Sequence, residues 1–454
     1  MLSVPQLRKL ISSPALLLVI ATTATFAVTG TYSFLDTWDD KFYIVDNADI
    51  RGITLRHIAS AFSSFYVGNY APLHILSYMV DYSLWRLSPA GYHLENVLLH
   101  AVNGVLFYLI LRRLDMSKWQ AAAASWIFLL HPVQVETVAW ISQRKNILSM
   151  LFTLLAFLCY VEYRGRHSRK LAPYLVSFLC MLAAMLTKSI AVIFPVLAML
   201  YDRTYVRDAR APSHIRLLDK LPFVLAAAGT AALTLVSQRA EFRGGLAAVY
   251  PGGSPLATFF TMIPVLLSYI VDCFWPFGLK PYYLVVVRQY PDNIFTVSLI
   301  IACVLAGLGA WLYRRAPRIL FWYALFFIAL LPVMQIIPLV TQKQDRYLYF
   351  PLLGFAALVV HAAGILLRRL PAVRARVALI VATAVLASLP FLSLHQSRIW
   401  ENDVTLWRYA TEVDPLSYTA WENLSKAYTL RGDWQNAKKA YDRSLGDKET
   451  PEVQ

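Results

Sequence analysis

The stretch FTVSLIIACVLAGLGAWLYRR, Phe295 to Arg315, runs nineteen residues without a charge and then closes on Arg314-Arg315. A helix needs about 20 apolar residues to cross the hydrocarbon core, and cations flanking a span favour the cytoplasmic side. The stretch therefore reads as a membrane span that ends at the cytoplasm. Working outward, similar runs lie near 10–32, 94–111, 120–140, 147–162, 221–236, 319–340, 347–367 and 376–394. The run from Leu171 to Tyr201 is too long for one upright crossing and is interrupted by Thr187-Lys188-Ser189, so it reads as two short spans with a turn at Lys188. The expectation is an all-α polytopic membrane protein with about eleven spans. Composition agrees: 58% of the 454 residues are hydrophobic, more than soluble globular domains carry.

The net charge of +15 would suggest nucleic acid in a soluble protein, but here Lys and Arg gather in the gaps between apolar runs, so the charge describes topology and no nucleic-acid partner is expected. With the N-terminus inside, Arg112-Arg113, the Arg164 to Lys170 cluster, Arg203 to Lys220, Arg314-Arg315-Arg318 and Arg368 to Arg376 all fall in the cytoplasm. The piece from Pro255 to Phe277 would break that parity if it crossed, and is expected to be re-entrant or interfacial. Leu10 to Val28 follows Arg8-Lys9 as a signal peptide would, yet it is long for one and lacks a small-residue cleavage pattern, which favours a retained first span. Cys159, Cys180, Cys273 and Cys303 share no metal or redox spacing and read as buried small hydrophobes.

The same count places three polar segments outside the cytoplasm: the first loop, residues 35–92, the turn from His131 to Lys145, and the turn from Gln342 to Arg346. It divides the chain into a membrane domain over 1–396 and an extracytoplasmic tail over 397–454. In the tail, Trp421, Leu424, Ala427, Tyr428, Gly432, Ala437, Ala440, Tyr441 and Leu445 follow the tetratricopeptide pattern, with one complete repeat visible. About three repeats are needed for independent stability. The tail is therefore expected to dock on the membrane domain, to continue, or to bind a protein partner.

The residues that suit chemistry lie in those outer segments. Asp39-Asp40 follow the first span, where a carboxylate can take a proton from an acceptor hydroxyl; an ordinary solvated loop start is the alternative. Arg144-Lys145 lie on the outer face against the positive-inside bias, and Arg can hold a phosphate bidentately, although snorkelling interfacial cations look the same in sequence. Lys188, between two apolar half-helices, is expensive unless it meets a partner or an anion. Asp345-Arg346-Tyr347 form another charged turn at a span boundary. His74, His93, His100, His131 and Glu136 sit close to the membrane surface as structural or binding candidates. No Gly-rich phosphate loop, HExxH or GxSxG motif is present. No all-protein metal cage is recognisable, so a divalent metal is not indicated.

Trp38-Asp39-Asp40, Tyr43, Asn47, Tyr70-Ala71-Pro72-Leu73-His74, Gly91-Tyr92-His93-Leu94 with Asn96 and His100, the run His131 to Trp140, Arg144-Lys145, Lys188 and Asp345-Arg346-Tyr347 together resemble the GT-C glycosyltransferases. The likeness is to the protein O-mannosyltransferases and to the transmembrane O-mannosyltransferases with tetratricopeptide repeats. That resemblance implies transfer of a sugar from a polyprenyl-phosphate donor to a hydroxyl acceptor, on a protein or an envelope glycan, with inversion. It makes Asp39 or Asp40 the general base. It makes Arg144, Lys145, Lys188 and Arg346 the cations for the leaving phosphate, with His74, His93, His131, Glu136, Asp345 and Tyr347 as further substrate-binding candidates. The site would face the periplasm or exterior from a bacterial plasma membrane, or the lumen from the endoplasmic reticulum of a eukaryote. The chain departs from many such relatives in having Asn146 where they have Asp and Ser189 where they have Pro. Two other classes fit the same features: a non-catalytic scaffold that recruits partners through its repeat, and a flippase for a lipid-linked precursor.

Overall fold

The computed structural model describes residues 14–165, 171–206, 218–239 and 249–446. Arg8-Lys9, most of the Arg164 to Lys170 cluster, residues 207–217 and the last residues of the tail lie outside them. The described chain is helical throughout, with a single isolated bridge between Tyr66 and Asn69. Seven of its helices are long and apolar enough to cross a membrane, and three shorter apolar helices accompany them. The protein is an integral, multi-pass membrane protein.

The first span is α1 (Pro14–Phe26), extended by a 3-10 turn to Thr31. The first loop follows and carries α2 (Leu55–Ser63), whose Thr54 caps its N-terminus, and α3 (Pro72–Trp85). The chain then returns in α4 (Pro89–Arg113) and α5 (Lys118–Leu130), the latter started by a Ser117/Gln120 capping box. His131 breaks it, and the outer turn continues through the short α6 (Val135–Ala139) into α7 (Arg144–Tyr163).

The long apolar run divides into α8 (Leu171–Met185) and α9 (Phe194–Tyr205), separated by extended Lys188 and a 3-10 turn. Tyr174, near the start of α8, and Asp202, near the end of α9, both join the cluster around Lys220 and Asp219, so the chain doubles back at Lys188. From Lys220, α10 (Leu221–Arg239) runs to the opposite side, where Ser237 Oγ donates to Gly68 O of the first loop.

The segment expected to be re-entrant or interfacial is one continuous helix, α11 (Pro255–Phe274), despite Pro264. Its length would let it cross, but both of its ends meet the same connection, residues 334–350. Tyr250, just before it, donates to Ile336 O, and Asp272, near its end, pairs with Lys343 at 2.8 Å. By length and composition α11 is nonetheless one of the seven candidate membrane spans, where a re-entrant or interfacial element was expected.

The remaining bundle helices are α12 (Asn293–Arg315), α13 (Pro317–Leu330), α14 (Pro351–Arg369) and α15 (Ala372–Ser397). Gly354 lets α14 press on α13: a Cβ there would stand 2.5 Å from Trp322 O. The tail forms α16 (Asp403–Val413), α17 (Tyr418–Leu430) and α18 (Trp434–Gly446), the last two joined at Gly432, whose φ of +74 suits glycine. All four cysteines are free, but only Cys273 is buried. Cys303 faces outward on α12, contrary to the expectation of burial, because that helix exposes most of its apolar surface to lipid.

Candidate active site at the outer membrane boundary

The two acids of the first loop have opposite surroundings. Asp40 is 1% exposed, and its carboxylate accepts from Leu35 N at 3.0 Å, from Ser142 N at 3.0 Å and from Ser142 Oγ. Burial, opposed by those three bonds, pushes its pKa up to about 7. Asp40 is thus a clasp between the first loop and the 141–143 turn, with its acceptors already committed. The neighbouring Asp39 is 20% exposed, and Lys145 Nζ lies 3.4 Å from its Oδ2. Adjacent residues in a turn point in different directions, and only Asp39 presents its carboxylate to an open side.

The two cations that begin α7 are divided in the same way. Arg144 is fully buried and its guanidinium is held from several sides: it pairs with Asp81 and with Glu95 at 3.2 Å, and donates to Asn96 Oδ1 at 2.7 Å and to Tyr92 O at 2.7 Å. This argues against its expected role on a phosphate, since the side chain is fully buried and four of its five N–H donors are taken by two carboxylates and two amide oxygens. Lys145, one residue on, swings to Asp39 and over the Tyr43 ring at 4.9 Å. The 100° step between successive helix positions is what separates them.

Lys188 reaches the same place from the α8/α9 turn, where its Nζ donates to Asn146 Oδ1 at 2.5 Å. Its charge is opposed by Lys145 and Arg346 and favoured by Glu136 and Asp39, which places all five groups within electrostatic range. Arg346 is held by Glu136 through both its guanidinium and its backbone N–H, and lies over the Trp140 ring at 5.3 Å. The cluster therefore gathers Lys145, Lys188 and Arg346 about Asp39 and Glu136. Lys188 has only a neutral amide for a partner, and burial, then Lys145 and Arg346, push its pKa well below the usual lysine range, so an anion arriving here would favour its charged form.

Four other candidates have their polar atoms engaged or buried elsewhere. His131 Nε2 is bonded to Cys273 O at 3.0 Å and its Nδ1 caps the following 3-10 turn, so it ties α5 to α11. His93 is buried in the bundle wall with Tyr32 against its ring. The Tyr347 hydroxyl bonds Thr341 at 2.7 Å. Asp345 accepts from Tyr283 at 2.5 Å, and burial raises its pKa well above the usual carboxylate range. His100 is likewise structural, between Tyr349 OH and Leu129 O. His74 is buried between the Tyr43 and Tyr78 rings and, like His93, has neither ring nitrogen bonded. Burial, then Lys145, Arg144 and Lys188, pushes its pKa well below the usual imidazole range, so it is a neutral group at the edge of the cluster. Among the described residues, no group of three or more His, Cys, Asp or Glu could hold a metal ion.

Sequence reasoning missed Ser142 as the partner of Asp40, and Asp81 and Glu95 as the partners of Arg144. No local pattern announces them, because they lie 49 or more residues from their partners.

Comparison with known proteins gives the same direction. Over 451 residues, 89% of this chain, it is 24% identical to protein O-mannosyl-transferase TMTC3 of Mus musculus, and it is 23% identical to the Homo sapiens counterpart. Over 168 residues, 36% of the chain, it is 34% identical to TMTC2 of Homo sapiens. The chain resembles the protein O-mannosyl-transferases. It spans about half the length of the TMTC3 proteins and 19% of TMTC2. No family model matches. Among solved structures it is similar to the oligosaccharyltransferase of Archaeoglobus fulgidus, with a TM-score of 0.49 and 13% identity over 85% of this chain and 53% of that one. It is also similar to ArnT from Cupriavidus metallidurans bound to undecaprenyl phosphate, with a TM-score of 0.45 and 16% identity over 96% and 76%. Both scores lie below 0.5, so the site is read from this chain's own residues.

Proposed function

We propose that this chain is a glycosyltransferase that moves a sugar, mannose by its relatives' names, from a polyprenyl-phosphate donor to a protein hydroxyl on the extracytoplasmic face. The observation that carries the reading is the convergence of one open carboxylate, Asp39, with the cations Lys145, Lys188 and Arg346 at the membrane boundary. Asp39 takes the proton of the acceptor hydroxyl as its oxygen attacks the anomeric carbon from the face opposite the phosphate. The bond to phosphate oxygen breaks, the configuration inverts, and the charge gathering on the leaving phosphate is met by the three cations.

The neutral imidazole of His74 suits a sugar hydroxyl better than a phosphate. The tail helices are read as a tetratricopeptide element that serves the acceptor or a protein partner.

The test is transfer from a panel of radiolabelled polyprenyl-phosphate sugars to envelope or secretory extract, using the full chain in lipid nanodiscs. Transfer by the wild type and none by Asp39→Asn is the expected result. Undiminished transfer by Asp39→Asn would remove the assigned base, and no transfer from any donor would favour the scaffold.

A further inference from the structure

The turn that carries Asp39 is held from two directions, and one of them is the tail. Asp403, in the first turn of α16, accepts from Asp36 N at 3.0 Å, from Thr37 N at 3.1 Å and from Thr37 Oγ1. Trp407, one helical turn later, donates its Nε1 to the same Thr37 Oγ1 at 2.7 Å. Thr37 is therefore fully committed, its hydroxyl donating to Asp403 and accepting from Trp407. Just upstream, Ser33 N donates to Glu401 O at 2.9 Å. Between Thr37 and Asp39 stands Trp38, whose ring lies against Trp140 at 4.3 Å, Trp407 at 5.0 Å and Trp400 at 6.3 Å. Trp140 in turn underlies Arg346. The negative charge of Asp403 also suits its place, since the N-terminus of a helix favours an anion.

We infer that α16 of the tail is a positioning element for the membrane site, with Asp403 and Trp407 fixing the Asp36–Trp38 turn so that Asp39 stands against Lys145. The inference rests on the proposed function for the role of Asp39, but the clamp is a structural statement by itself. Asp40 fixes the far side of the same turn to Ser142, so the two clasps leave Asp39 between them with little freedom. Pre-organisation of this kind matters because a catalytic group displaced by about 1 Å can lose on the order of 10²-fold in rate. Removing Asp403 should not undock the tail: Lys280 pairs with Asp414 at 3.1 Å, and Tyr409 donates to Leu279 O at 3.1 Å. A helical tail that looks like a separate recruitment module is therefore joined to the catalytic turn by side-chain bonds, and what binds the tail can reach the site through α16.

Two measurements on the full chain in nanodiscs test this. Asp403→Ala and the milder Trp407→Phe, which keeps the ring and removes the N–H, should lower kcat for sugar transfer about 10- to 100-fold. Donor KM should change less than about 3-fold, since the donor's cations stand on other elements. Asp403→Glu should recover part of the loss. Amide hydrogen exchange should rise in 33–39 in the first two variants, while 280–283 and α16 stay protected. Loss of kcat with unchanged exchange in 33–39 would overturn the inference, as would normal kcat. If the wild type transfers no sugar, the proposed function fails, and the exchange result alone decides whether Asp403 clamps the turn. Unchanged exchange then refutes the clamp as well.

Discussion

Two of the buried clusters of charge, one toward each end of the bundle, are built differently. At the cytoplasmic end Arg164 and Lys220 face Asp202 and Asp219. Arg164 lies 3.0 Å from one acid and 3.4 Å from the other, Lys220 reaches both, and the hydroxyls of Tyr160 and Tyr163 complete the acids. Two cations meet two carboxylates, each shared, and no charge is left over. At the outer end Lys145, Lys188 and Arg346 meet Asp39 and Glu136, Lys188 has only an amide for a partner, and Asp39 stays partly open. A balanced, saturated cluster tolerates burial because each charge answers another, and needs no ligand to do so. A cluster that leaves a buried lysine on a neutral amide beside an open carboxylate gains most when an anion arrives, which suits a binding site.

Substitution can break or sharpen that contrast. The largest effect should fall on Asp39→Asn, which is expected to cut sugar transfer by about 10² to 10⁴-fold while the thermal midpoint in detergent moves little. Lys220→Met is expected to do the reverse. It leaves Asp202 and Asp219 with one cation between them, a cost of about 3–5 kcal/mol in stability, and any surviving folded protein should keep its kcat. A collapse of kcat in folded Lys220→Met would erase the distinction between the clusters.

Asp40 gives a pH test within the outer region. Its folded pKa of about 7 lies above the unfolded value of about 3.9, so the native state retains a proton that the unfolded chain has released. Its contribution is fully present below about pH 4, falls as pH rises to about 7 and is flat above, with a total of up to about 4 kcal/mol. Thermal midpoints measured from pH 4 to 8 should show that falling limb in the wild type and lose it in Asp40→Asn. The smallest of these effects is expected at Lys188→Met, where losing a charge-assisted contact worth about 1.5–3 kcal/mol should weaken donor binding roughly 10- to 100-fold. Equal donor affinity in that variant would take Lys188 out of the site.

Much of the architecture was legible before any coordinates. The hydropathy runs and the break at Lys188 follow from windows of about 20 residues. The shape of residues 255–274 did not, because Pro264 and the apolar content suit an uninterrupted helix as well as a broken one. Of the candidate site, the outer segments were readable, since acids and cations on the non-cytoplasmic face stand against the ordinary bias. The division of labour inside each pair was not. Asp39 and Asp40, or Arg144 and Lys145, are the same kind of residue one position apart, and only their neighbours set one to hold the fold and the other to face the open side.

The sequence by itself determined that this chain is helical, that it lives in a membrane and which segments share a face, because hydrophobicity and charge act locally along the chain. Only the tertiary structure decided that Ser142 holds Asp40, that Asp81 and Glu95 occupy Arg144, and that Asp403 grips Thr37. Those bonds join residues 49 to 366 positions apart, and a buried polar group finds its partner by proximity in space, which no local pattern encodes.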